Sequence, residues 1–444
     1  MSNFQHLARL TLVLASLFPI CASGQETPAG SSEQIPDALA KYVAATDSTY
    51  QWTLDNSAST ALGKTYQVSL TSQKWQGIDW QHALLICEPL VVKYPKHVLL
   101  YVNGGRNGRK PKEDDAKRGL LLANLCGARV AVIHQVPNQP LLGDHYEDDL
   151  ITETWLKYLE TGDETWPLLF PMVKSAVRAM DAVQEISVQH WDHKVESFVI
   201  TGASKRGWTS WLTPVVEKRV IATAPVVIDV LNFRPQMQHQ IESWGKYSEQ
   251  IIDYTSKGLI VTGDEAPREK QLRVMMDPYT YREQLALPKY LVNGTNDPYW
   301  VVDAMRWYWD DLQGPKYVLQ VPNAGHNLGG GVEYALSSIA AFFQHMASAT
   351  PLPQIDWTHT FDANQMTLTA KSSETPIEVY LWSADSDDKD FRDERWTSKR
   401  LTSANNEFRA TVSKSENGHI ANYIELKYEI NQVPYSLCTL IYRD

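Results

Sequence analysis

The chain has 444 residues, 43% of them hydrophobic and 10% aromatic, with a formal net charge of -11. That length and apolar content supply a large core and point to a two-domain globular protein. An acidic chain without a basic cluster argues against nucleic acid or an anionic membrane as partner.

The first residues read as an export signal. Leu10 to Ile20 forms an apolar run behind Arg9, and the small residues Cys21-Ala22-Ser23-Gly24 follow. Such a run is too short to span a bilayer and reads as the core of a signal peptide, residues 1–24. The mature chain is expected to be secreted or periplasmic. No later stretch is long and apolar enough for a transmembrane helix, so no membrane insertion is expected. After cleavage Cys87, Cys126 and Cys438 remain, an odd count that permits one disulfide at most. No CxxC, HExxH or clustered His/Cys spacing occurs, so neither a metal nor another cofactor is expected.

Residues 25–60 are polar and mixed, a leader with one helix over 38–45. Alternation over 66–73 and the apolar run 82–87 predict paired strands. The near-continuous apolar run 97–103 predicts a central strand ending in Gly104-Gly105. A helix over 113–126, a strand over 128–133 and a helix over 166–191 follow. Next comes Val195-Glu196-Ser197-Phe198-Val199-Ile200, a buried strand that runs into Thr201-Gly202-Ala203-Ser204-Lys205-Arg206-Gly207-Trp208. Strand, glycine-flanked serine turn and helix make the context of a nucleophile elbow. Its second glycine comes one residue later than in G-x-S-x-G, and Pro214 is expected to kink or interrupt the helix behind it.

Beyond the elbow the pattern predicts a strand over 221–228, a helical insertion over about 234–286, and strands over 290–293 and 317–321. Strands alternating with helices predict an α/β fold, a mostly parallel, doubly wound sheet with a helical cap insertion. Catalytic groups in such sheets gather beyond the carboxyl ends of the strands. Asp297 follows the penultimate strand and His326 follows the last, which gives the α/β-hydrolase order Ser…Asp…His. Ser204 would attack, His326 would take its proton, and Asp297 would orient the imidazole. The Lys205 amide and an amide of Gly104 or Gly105 would form the oxyanion hole. Asp229, at the end of the strand after the elbow, is the rival acid.

The segment Gly-Ala-Ser-Lys-Arg-Gly-Trp resembles the PhoPQ-activated pathogenicity-related family. So do Val-Val-Ile-Asp-Val-Leu-Asn after it and Trp-Pro-Leu-Leu-Phe-Pro-Met-Val-Lys-Ser-Ala-Val-Arg-Ala-Met-Asp before it. The resemblance runs from residue 42 to residue 395. It implies an exported α/β-hydrolase similar to prolyl-peptidase and dipeptidyl-peptidase catalytic domains. Ser204, Asp297 and His326 sit at matching motifs. Some members of the family are signalling or virulence factors.

Glu147 and Asp148 could hold a substrate ammonium, as paired glutamates do in dipeptidyl peptidases; the blander reading, which we favour, is acids complementing a helix N-terminus. Arg206 suits either a substrate carboxylate or a salt bridge within the elbow. The insertion carries Trp244, Tyr247, Tyr254, Tyr279 and Tyr281, as cleft lining or as packing. After Pro351-Leu352-Pro353, six short strands predict a small β-sandwich of immunoglobulin-like kind over 351–444, behind a hydrolase domain over 25–350. That region would pack on the hydrolase or bind a protein partner. The combined expectation is an exported serine hydrolase of peptides or, alternatively, of carbohydrate or other carboxylic esters. A signalling or binding protein on a hydrolase scaffold is the reading of a different class.

Overall fold

A computed structural model describes residues 35–362, 364–403, 405–414 and 418–444. The expected signal peptide, residues 1–24, lies outside the described residues. Among the described residues no helix is long and apolar enough to cross a membrane.

The principal sheet holds nine strands: β1 (Gln51–Thr60), β2 (Gly63–Trp75), β3 (Ile78–Pro89), β4 (His97–Val102), β5 (Arg129–Ile133), β6 (Ser197–Ala203), β7 (Val220–Val226), β8 (Lys289–Gly294) and β9 (Lys316–Val321). Their order is β1-β2-β3-β5-β4-β6-β7-β8-β9. The first three strands and the β3–β5 pair are antiparallel, and every pair from β5 to β9 is parallel. The parallel strands are apolar because helices cover both of their faces: Val98, Leu99, Leu100, Val199 and Ile200 are fully buried.

The helices are α1 (Ala38–Ala44), α2 (Glu113–Cys126), α3 (Glu147–Thr161), α4 (Leu169–His190), α5 (Lys205–Val216), α6 (Phe233–Trp244), α7 (Ile252–Thr255), α8 (Pro267–Met276) and α9 (Val332–Ser348). Helices α2 and α9 pack together, as do α1, α4 and α5. Helices α6, α7 and α8 make up the insertion between β7 and β8, as the sequence predicts.

Three local findings differ from the expectations, one being that the C-terminal region has eight strands where six were expected. Residues 51–60 form a strand although they lie in a stretch read as a polar leader. Only Trp52 and Leu54 alternate inward; the remainder is held by backbone pairing to β2, with a bulge between Leu54 and Asn56. Helix α5 runs two residues past Pro214 rather than stopping there. Proline has no N–H for the Ser210 carbonyl, and the Thr223 hydroxyl of β7 donates to that carbonyl instead, at 2.8 Å.

The C-terminal region forms two antiparallel sheets from β10 (Ile355–Phe361), β11 (Gln365–Ser372), β12 (Glu378–Ser386), β13 (Thr397–Leu401), β14 (Glu407–Ser413), β15 (His419–Ile430), β16 (Val433–Cys438) and β17 (Tyr442–Arg443). One sheet has the order β10-β11-β14; the other runs β13-β12-β15-β16, with β17 beside β15. Strand β16 packs on α9 and β9. The Tyr290 hydroxyl of β8 donates to the Ser436 carbonyl at 2.5 Å, which ties the two regions together through buried polar groups. Cys87, Cys126 and Cys438 are buried free thiols, so none of the three is paired with another.

Candidate active site

Ser204 joins β6 to α5 at φ 57 and ψ -122, a conformation that costs energy in any residue with a Cβ. The surrounding glycines explain how the chain holds it. A Cβ on Gly202 would lie 2.7 Å from the Arg206 carbonyl oxygen. One on Gly207 would lie 2.6 Å from an Ile228 methyl and 3.0 Å from the Val226 carbonyl oxygen. The displaced second glycine therefore still does what a turn glycine must: it lets α5 press against β7. Position 206, where G-x-S-x-G has its glycine, carries an arginine instead. Its guanidinium fits because Gly104 lies opposite, where a Cβ would come within 2.5 Å of Arg206 Nη2.

The loops after β8 and β9 bring the other two predicted residues to the serine. His326 Nε2 lies 2.9 Å from Ser204 Oγ, and His326 Nδ1 lies 2.8 Å from Asp297 Oδ2. The second oxygen of Asp297 accepts the Tyr299 amide at 2.9 Å, which fixes the carboxylate plane. The Tyr299 ring lies against the imidazole, tilted by 32°, with centroids 4.1 Å apart. Asp229, the rival acid, accepts the Tyr308 hydroxyl at 2.5 Å. Burial pushes its carboxyl up to about 7, against the opposing Tyr308 bond and with a contribution from Asp297. The geometry favours Asp297 as the histidine's partner.

The oxyanion expectation is narrowed. As the first residue of α5, Lys205 has an amide without an intrahelical acceptor. The Gly104 amide donates to Asn103 Oδ1 at 2.9 Å and is thereby committed. Gly105, at φ 131, makes no amide hydrogen bond among the described residues, and both glycines line a cavity with Ser204 and His326.

Glu147 and Asp148 open α3, as the macrodipole reading expects, and each also meets a cation from the elbow. Glu147 accepts two hydrogen bonds from Arg206, at 2.7 and 2.8 Å. Burial pushes the Glu147 carboxyl up, but these bonds and the Arg206 charge outweigh it and hold it down at about 2. Asp148 meets Lys205 Nζ at 2.7 Å and accepts the Tyr254 hydroxyl at 2.9 Å. A carboxylate pair waiting for a substrate ammonium is therefore not what the fold builds, because both acids are already neutralised. Arg206 is likewise spent on Glu147 and on the Val136 carbonyl, so the salt-bridge alternative describes it.

Of the aromatic residues singled out in the insertion, Tyr254 lines the cleft beside Ser204. Trp244 lies under the Arg392 guanidinium, Tyr279 donates to Asp311, and Tyr281 is buried against the Met275 carbonyl. Sequence reasoning missed Tyr299, Trp155, Trp208 and Trp300, which wall the same cleft. Tyr299 and Trp300 left a local signal two and three residues beyond the predicted acid, and Trp208 ends the elbow motif itself.

A doubly wound sheet with a serine turn at its switch strand and a helical insertion after β7 defines an α/β-hydrolase fold. The acetyl xylan esterase from Paenibacillus sp. R4 shares it: TM-score 0.51 at 13% identity, over 69% of this chain and 92% of that one. Acetyl xylan esterase 1 from Thermoanaerobacterium sp. JW/SL YS485 gives a TM-score of 0.49 at 14% identity, over 72% and 94%. Residues 39–392 match the model of the PhoPQ-activated pathogenicity-related protein family, and the chain belongs to that family. Autocrine proliferation repressor protein A of Dictyostelium discoideum is 32% identical over 425 residues, covering 88% of this chain and 85% of that protein.

Proposed function

We propose that this chain is an exported serine hydrolase that transfers the acyl group of a carboxylic ester to water. The observation that carries the reading is the continuous contact Ser204 Oγ–His326 Nε2 and His326 Nδ1–Asp297 Oδ2, at 2.9 and 2.8 Å, on a serine held at φ 57.

In this reading Ser204 Oγ attacks the substrate carbonyl carbon and passes its proton to His326 Nε2. Asp297 holds the imidazole by Nδ1–H and stabilises the imidazolium. The carbonyl oxygen, now an oxyanion, takes hydrogen bonds from the Lys205 and Gly105 amides, each contributing about 10²-fold or more. Collapse expels the alcohol, which takes the proton from His326. A water then attacks the acyl-enzyme with His326 as base, releasing the acid and restoring Ser204.

An ester fits better than a peptide. The peptidase reading draws on the family's likeness to prolyl peptidases, but its ammonium anchor is lost to Lys205 and Arg206. The name of the Dictyostelium relative, a proliferation repressor, favours a second reading: a signalling protein that keeps a hydrolase scaffold. Fluorophosphonate labelling separates the two. The ester reading expects labelling of the mature protein that Ser204→Ala and His326→Ala abolish. Folded wild type that neither labels nor hydrolyses small esters would transfer the case to the signalling reading.

A further inference from the structure

Ser204 stands between two cavities of unlike character. The first is walled by side chains such as Trp155, Trp208, Phe233 and Trp300. It shares Trp155, Phe233, Met237, Leu259 and Ile260 with a second cavity that is also lined by Arg234, Glu265, Glu269 and Arg273. The two adjoin at these shared residues beneath the cap insertion, and the serine-side cavity forms an apolar passage that starts at Ser204. Charge at its serine end is already satisfied, because Asp148 and Lys205 pair at 2.7 Å. The Tyr254 and Tyr299 hydroxyls both donate to Asp148, so they too are occupied.

The opposite side of the serine opens differently. A cavity there is lined by Gly104, Gly105, Arg109, Lys110 and Asp115. The two arms of a bound ester thus meet different solvents: one apolar and roofed by the cap, the other polar and charged.

We infer that one arm of the substrate ester is an extended hydrocarbon chain that lies in the passage under the cap. The inference rests on the serine-hydrolase reading and names its substrate class. A hydrocarbon chain asks nothing of these walls and gains from leaving water. A peptide in the same passage brings one amide donor and one carbonyl acceptor per residue, and burying them unpaired is costly. A sugar's hydroxyls carry the same cost. Met237, Leu259 and Ile260 are half-buried and line both cavities, so they form the waist where the two adjoin.

The test measures kcat/KM of the mature protein on two ester series below micelle formation. One lengthens the acyl arm, p-nitrophenyl acetate to octanoate; the other lengthens the alcohol arm, monoethyl to monooctyl succinate. One series is expected to rise by up to about fourfold per methylene, and the other to stay flat. Met237→Trp, and independently Ile260→Trp, should lower the octyl-to-ethyl or octanoate-to-acetate ratio at least tenfold by filling the waist. Fluorophosphonate labelling reports whether each variant keeps a folded site. Wild type that labels but shows two flat series, two rising series, or faster cleavage of peptides overturns the inference and leaves the hydrolase reading standing. Wild type that neither labels nor turns over any ester overturns the reading beneath it.

Discussion

Asn323 and Trp396 exchange two hydrogen bonds: the Asn323 side-chain amide donates to the Trp396 carbonyl at 3.0 Å, and the Trp396 amide donates to Asn323 Oδ1 at 2.8 Å. Asn323 lies three residues before His326. In the neighbouring loop, one residue before Asp297, the Asn296 amide faces the carbonyls of Phe391, Arg392 and Glu394, at 3.3, 3.1 and 2.7 Å. The segment between β12 and β13 therefore braces both loops of the candidate site from outside the hydrolase sheet.

Asn323→Ala removes both bonds to Trp396, and because Asn323 is exposed, water can reach the groups left behind. The expected loss of stability is about 1–2 kcal/mol. Because the loop also carries His326, kcat should fall by more than the stability change explains at temperatures where the variant is fully folded. Thermal melting and ester kinetics on one preparation check this; a melting shift with unchanged kcat would reduce the clamp to scaffolding.

Asp297 and Asp229 make a paired prediction. Asp297→Asn should lower kcat by about 10³–10⁴, because the wrong imidazole tautomer is then favoured. Asp229→Asn should change kcat far less, since Asp229 serves Tyr308. Its effect is on stability and pH. A carboxyl raised from 3.8 to about 7 stays protonated in the fold while the unfolded chain ionises, so it lowers stability progressively between those values. Asp229→Asn should gain on wild type as the pH rises from 4 to 7. The gain is a few kcal/mol at most, because each tenfold change in proton affinity is worth about 1.4 kcal/mol. Urea midpoints across that range measure it.

Glu147 works in the opposite sense. Its carboxyl is depressed from 4.5 to about 2, so its contribution is complete above the ordinary value and is lost as the pH falls towards 2. Glu147→Gln leaves the buried Arg206 charge without its partner. The expected cost at neutral pH is about 1–3 kcal/mol, below that of a fully buried pair because the Glu147 side chain is 39% exposed. The deficit should shrink in acid, which equilibrium unfolding at pH 7 and pH 3 would reveal.

Thr223→Val tests the repair of the proline in α5. Valine keeps the shape but gives the Ser210 carbonyl no donor, at a cost of about 1–3 kcal/mol. Thr223→Ser should recover most of it. Chemical denaturation of the two variants side by side decides the point.

The parts legible in the sequence share one property: their signal is local. Strand, glycine and serine stand together at 197–204, and Asp297 and His326 follow strands whose apolar runs announce themselves. The oxyanion pair was only half legible, because the fate of the Gly104 amide depends on the Asn103 rotamer. The partners of Glu147 and Asp148 were hidden because Arg206 and Lys205 reach them through space. Strand β13 was missed for the reason β1 was: Thr-Ser-Lys-Arg-Leu is polar and exposed, and pairing with β12 makes it a strand. The wall of the cleft was least legible, since Trp155, Trp208 and Trp300 come from two helices and the loop after β8 and look like ordinary core.

The brace on Asn296 and Asn323 also sets an order in time. A ribosome makes Ser204 first, then the loops of Asp297 and His326, and the carbonyls of 391–396 later still. A chain still being synthesised already has the two loops bonded to each other, through the Asn296 amide to the Ala324 carbonyl and the Asn323 amide to Thr295 Oγ1, each at 2.9 Å. The outer brace is added only once residues 391–396 have emerged. A copy cut short before them keeps the inner bonds and lacks the outer ones.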